Sequence, residues 1–74
     1  MTEDQARDII HRLASASNKE DLQKLIGRYI SVCDDVFFSV LSEIVKERRA
    51  QGDEANARKL QEMGDVMARL RFLI

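Results

Sequence analysis

Apolar side chains recur three or four residues apart along nearly the whole chain, in four runs separated by short polar breaks. That spacing places each run on one face of a helix. Thr2 and Gln5 stand at capping-box spacing, and Ala6, Ile9, Ile10 and Leu13 follow, predicting a first helix over about residues 3–14. Ser15-Ala16-Ser17-Asn18 interrupts it, because short polar side chains compete for backbone hydrogen bonds and favour a turn and a cap. With Asn18 or Ser17 as cap, Leu22, Leu25, Ile26, Tyr29, Ile30 and Cys33 form a stripe that predicts a second helix over about residues 19–33. Asp34 and Asp35 then read as an acidic restart. Phe37, Phe38, Leu41, Ile44 and Val45, widened by Val40, predict a third helix over about 35–50. Gly52 suits the position just past a helix end and Asp53 the next cap. Ala57, Leu60, Met63, Met67, Leu70 and Ile74 step by three or four without a miss, predicting a fourth helix over about 54–72.

No strand-like alternation interrupts this pattern. The expected fold is all-α: a small four-helix bundle in a single domain, with short connections that favour antiparallel helical hairpins. Asp8–Arg12, Glu20–Lys24, Glu54–Arg58 and Asp65–Arg69 place an acid four residues before a base, the better orientation for pairing along a solvated helix face. Gly27 and Gly64 fall inside helices, where glycine costs about 1 kcal/mol relative to alanine. A close approach by a neighbouring element is the expected reason for both.

Between Leu22 and Leu70 the chain reads Leu-Gln-Lys-Leu-Ile, an acidic break, Phe-Phe-Ser-Val-Leu-Ser-Glu-Ile, then Ala-Gln-Gly-Asp-Glu-Ala-Asn-Ala-Arg-Lys-Leu. This stretch resembles the helical segments that flank tetratricopeptide-repeat arrays in large bacterial proteins, some of which carry caspase-like CHAT domains. The resemblance implies interaction or scaffolding. The catalytic His/Cys pair of such proteins belongs to another domain. Leu60-x-x-Met63-Gly64-x-x-Met67 also has the spacing of the first-helix signature of the repeat, but no 34-residue self-similarity accompanies it.

Composition narrows the function. Of 74 residues, 45% are hydrophobic and 34% charged, which is globular rather than disordered. A core of this size rarely supplies more than about 3–5 kcal/mol, so small domains draw on disulfides, metals or association. One cysteine and one histidine leave neither an internal disulfide nor a Cys/His zinc site within reach. No apolar run approaches bilayer length and the first turn is acidic, so no membrane association is expected and the expected location is the cytoplasm.

The reactive residue types each have a plainer reading. His11 stands just past the Ile9/Ile10 stripe and reads as a surface or boundary residue. Cys33, followed by two carboxylates, reads as a buried inert thiol, since negative neighbours oppose thiolate formation. Asp34 and Asp35 read as caps rather than ligands. No enzyme activity, cofactor or metal is expected.

The expected function is therefore protein–protein interaction or scaffolding through apolar helix faces, with a homo-oligomer or another helical protein as partner. The expected interface is Phe37, Phe38, Leu41, Met63, Met67, Leu70 and Phe72, some of which must also serve as core. The apolar end Phe72-Leu73-Ile74 is expected to pack within the chain or on a second copy. The alternative is a small nucleic-acid-associated regulator using the one local basic cluster, Lys46, Arg48, Arg49, Arg58 and Lys59. A net charge of −1 disfavours it, and a solvated helix end is the simpler reading.

Overall fold

The computed structural model describes residues 1–73, without the side chains of Phe72 and Leu73. Among the described residues it is all helical: α1 (Glu3–Ala14), α2 (Lys19–Tyr29) with a 3-10 turn (Ile30–Val32), α3 (Asp35–Ala50) and α4 (Glu54–Leu73).

Each helix begins where a side chain satisfies the free amides of its first turn. Thr2 Oγ1 accepts from the Gln5 amide at 3.2 Å while Gln5 Oε1 accepts from the Thr2 amide at 3.0 Å, a reciprocal capping box. Asn18 Oδ1 accepts from the Asp21 amide at 2.9 Å, so Asn18 rather than Ser17 starts α2. Asp34 Oδ1 accepts from the Phe37 amide, and Asp53 Oδ1 from the Asn56 amide. Gly52 takes φ +79, the left-handed region that lacks steric cost only for glycine. There its amide reaches the Arg49 carbonyl and the Asp53 amide reaches the Arg48 carbonyl, the two bonds of a Schellman stop.

The second helix is shorter than its stripe predicts. The α-helix ends at Tyr29, and the chain tightens into the 3-10 turn before Cys33 becomes extended at ψ 116. Asp34 must leave the helical region to cap α3, so the helix cannot run on to residue 33. Ile30 and Val32 are β-branched, which weakens helix preference where the turn tightens.

α3 lies at the centre, with α1 on one side and α4 on the other. α3 and α4 form an antiparallel hairpin: Asp35 at the start of α3 pairs with Arg71 near the end of α4 at 3.2 Å. Arg49 at the far end of α3 donates to Gln61. α1 runs alongside α3 in the same sense, its start marked by the Met1 ammonium on Asp34 (2.6 Å) and its end by Ala14 sharing a cleft with Arg48. α2 packs on α1 and carries the chain back, leaving Val32 beside Met1, Gln5 and Ile9.

The core gathers Ile9, Ile10 and Leu13 from α1, Phe37, Leu41 and Ile44 from α3, and Leu60, Met63 and Met67 from α4, with Leu13, Phe37 and Met67 fully enclosed. α2 itself contributes only Ile26 to the buried set. Of the four expected i,i+4 pairs, Asp8–Arg12 forms at 2.9 Å and is the only one of them closed among the described residues. The other acids and bases stay solvated, as is common for exposed pairs worth under about 1 kcal/mol.

Candidate interaction surface

The structure divides the expected interface residues between two roles. Phe37, Leu41, Met63 and Met67 are buried inside this chain's own core, and Phe37 and Met67 have no exposed surface. They are unavailable to a partner while the chain is folded. The physical reason is that α3 sits between α1 and α4, so its apolar stripe is covered from two sides. Phe38 and Leu70 remain half-buried at the margin of the core. The side chain of Phe72, and the apolar end to which it belongs, lie outside the described residues.

Phe38 marks one end of a groove between α3 and α4. The groove encloses about 350 Å³ and is floored by Leu41, Val45, Gly64 and Ala68. Gly64 lets α3 and α4 close up here: a methyl group there would stand 2.7 Å from Leu41 Cδ2, so Leu41 lies directly over the α4 backbone. The expected close approach at this glycine is thus intramolecular, and it involves a side chain. At Gly27 it does not occur, since nothing lies within 4 Å of where a Cβ would be.

Phe38 makes two contacts. Its ring meets Phe37 edge-on at 5.3 Å and 88°. The Arg71 guanidinium lies 5.6 Å from its centroid while also holding Asp35. Ser42, Lys46 and Arg49 line the α3 rim, Gln61 and Asp65 the α4 rim.

A second apolar surface was not expected from the sequence. Leu22, Leu25 and Tyr29 lie along α2 at the edge of the core, all half-buried. The stripe is regular enough to read as core. What distinguishes it is its setting: α2 is the shortest α-helix, and among the described residues its main neighbours are α1 and the 3-10 turn that follows it.

The basic cluster divides. Lys46 and Arg49 border the α3/α4 groove. Arg48 and Lys59 face a separate cleft with Ala14 and Asn56, beside the end of α1. Arg58 is exposed and borders neither. Positions 46 and 48 differ by two residues, which on a helix points them to opposite sides. The five cations therefore do not form one phosphate-tracking face.

The reactive residue types stand apart. His11 is exposed. Cys33 is buried and its thiol donates to the Tyr29 carbonyl at 3.2 Å. Burial first, and then the charge of Asp34, push its pKa up to about 11, against a smaller opposing effect of Arg71. Asp34 accepts from the Met1 ammonium and the Phe37 amide, which hold its carboxyl below the ordinary carboxylate range. Asp35 faces solvent and Arg71. Among the described residues no three His, Cys, Asp or Glu side chains gather as a metal site would need, and no helix is long and apolar enough to cross a membrane.

No protein-family model, curated protein or solved structure matches the chain.

Proposed function

We propose that this chain is a protein–protein interaction or scaffolding module that works by burying apolar helix surface, and that it associates with copies of itself. The observation that carries this reading is the groove between α3 and α4, where Phe38 and Ala68 stay only half-buried against this chain's own core. A standard interface takes roughly 800 Å² from each partner, about 15% of the 5248 Å² this chain exposes. Each 100 Å² of apolar area removed from water contributes about 2.5 kcal/mol before the entropy cost of association. Association of that kind adds stability to a fold whose own core is small.

The resemblance of residues 22–70 to helices beside tetratricopeptide arrays favours the same role, as part of a bacterial scaffold. A reducing compartment such as the cytoplasm suits an unpaired, buried Cys33. No catalytic step is proposed. The nucleic-acid reading loses support because its cations face different clefts. Light scattering over a range of concentrations tests the proposal: the expected mass rises above that of one chain, and a single-chain mass throughout would overturn it.

A further inference from the structure

We propose that two copies of this chain exchange halves: α2 and α3 straighten into one continuous helix, and the α1–α2 half of each copy packs on the α3–α4 half of the other. This goes beyond the surface association proposed above and stands without it. Two observations carry it. The apolar positions keep one helical register through the break between α2 and α3, and the break turns at Cys33 and Asp34, neither of which prevents a helix.

Ile26, Ile30, Cys33, Phe37, Leu41 and Ile44 follow one another at steps of three or four, and all are buried. Two helices joined by a turn have no need to share a register, whereas a single amphipathic helix requires one. From Lys19 to Ala50 there is no proline and one glycine, Gly27, which lies within α2 rather than at the turn. Most of the junction is already close to helical. Tyr29 and Ile30 keep helical dihedrals, and Ser31 and Val32 continue the 3-10 turn. Cys33 and Asp34 leave the helical region, at ψ 116 and ψ −169. Side chains hold the bend. The Tyr29 carbonyl, which takes the Cys33 amide in a continuous helix, accepts the Cys33 thiol at 3.2 Å. The Asp34 carboxylate accepts the Phe37 amide at 3.2 Å and the Met1 ammonium.

α2 packs on α1, α1 on α3, and α3 on α4. After exchange, α1 of one copy meets α3 of the other through side chains that the single chain already buries, Ile9, Ile10 and Leu13 on α1 and Phe37, Leu41 and Ile44 on α3. The interface is therefore the chain's own core, and no new surface has to fit. Ile30 and Cys33 are buried beside the turn, which packs on α4, and these two the exchange must re-seat. Each copy gives what it receives, so the contact is isologous and closes at two copies. The continuous helix over residues 19–50 spans about 48 Å at 1.5 Å per residue, against 34 Å for the longest extent of the single chain. Because α1 must leave α3 before the halves can trade, the two forms interconvert slowly.

The test refolds the whole chain from urea at high concentration and separates the products by size-exclusion chromatography with light scattering. The expected products include a two-chain species that persists on dilution, since it dissociates only by opening both cores. Asp35→Pro locks the bend. Residue 35 is the first of α3, where proline fits, and Asp34 is already extended, as a residue before proline prefers. Inside a continuous helix the same ring clashes and removes a backbone bond. Asp35→Pro is expected to reduce the two-chain species about a hundredfold, the effect of one proline in a helix interior. Asp35→Ala loses the same contact to Arg71 but suits both forms, and is expected to leave the species unchanged. Asp34→Ala removes the cap that the bent form uses, and is expected to enrich it about fivefold. Circular dichroism checks that each variant folds. If Asp35→Pro does not, Asp34→Ala decides alone, and a two-chain fraction that fails to rise overturns the exchange. A two-chain species that Asp35→Pro forms as readily as Asp35→Ala would overturn the exchange while surface association stands. An unmodified chain that refolds only to single copies would overturn both.

Discussion

Leu41 lies over Gly64 so closely that a methyl group on the glycine would meet its Cδ2 at 2.7 Å. This contact holds α3 and α4 close together where Gly64 lines the groove between them. Gly27, at the same kind of position within a helix, has open space around it. The two glycines should therefore respond differently to alanine. Gly27→Ala is expected to stabilise the chain by about 0.5–1 kcal/mol through helix propensity alone. Gly64→Ala is expected to gain less, because Leu41 must turn its methyl aside. In a Leu41→Ala background that shortfall should shrink. Urea unfolding of the four variants measures the coupling directly.

Phe37 and Phe38 are sequence neighbours with unequal roles. Phe37 is fully enclosed and Phe38 half-buried. Phe37→Ala removes a ring from a closed core and is expected to cost about 3–5 kcal/mol, as much as a small core supplies, so the chain should be largely unfolded by circular dichroism. Phe38→Ala should leave a folded chain with a clearly smaller loss, since one side of the ring already faces the groove. Equal losses would contradict the placement of the core.

Asp34 links two elements, because its carboxyl caps α3 and receives the Met1 ammonium. Those contacts lower its pKa in the folded chain. A carboxyl held low when folded stabilises the fold above its ordinary value near 3.8, and that contribution fades as pH falls through the lower, folded value. Stability is thus expected to drop on acidification through this range. Asp34→Asn keeps a capping oxygen but not the charge, so it should flatten the acid limb. Chemical denaturation across pH 2–6 checks both. An unchanged acid limb in the variant would contradict the assignment.

Cys33 combines burial with a pKa pushed up to about 11. At neutral pH it is expected to stay protonated and to react with a thiol reagent far more slowly than the unfolded chain does. Reaction in the native protein should track opening of the α2–α3 junction, since the thiol sits beside the 3-10 turn. Rapid native labelling would show that the junction is open in solution.

Much of this fold is written in the spacing of apolar residues and in the caps. Thr2, Asn18, Asp34 and Asp53 mark helix starts that local chemistry determines, and Gly52 marks a stop only glycine makes easily. The end of α2 was hidden, because the stripe runs on through Ile30 to Cys33 while the backbone must turn to let Asp34 cap α3. The interaction surface was least legible. Periodicity marks a residue as apolar but does not say how many neighbours cover its helix. Met63 and Met67 on the α4 stripe and Leu22 and Leu25 on the α2 stripe have the same helical spacing, yet the first pair is enclosed and the second half-open. Tertiary position separates them: α4 packs along central α3, whereas α2 rests at the edge on α1.

Sedimentation equilibrium of the unmodified chain in high salt tests the central claim most directly, because burial of apolar surface survives screening that removes contacts between exposed charges. The expected result is a weight-average mass that climbs above one chain with concentration and persists as salt is raised. A mass fixed at one chain over the whole range would contradict it.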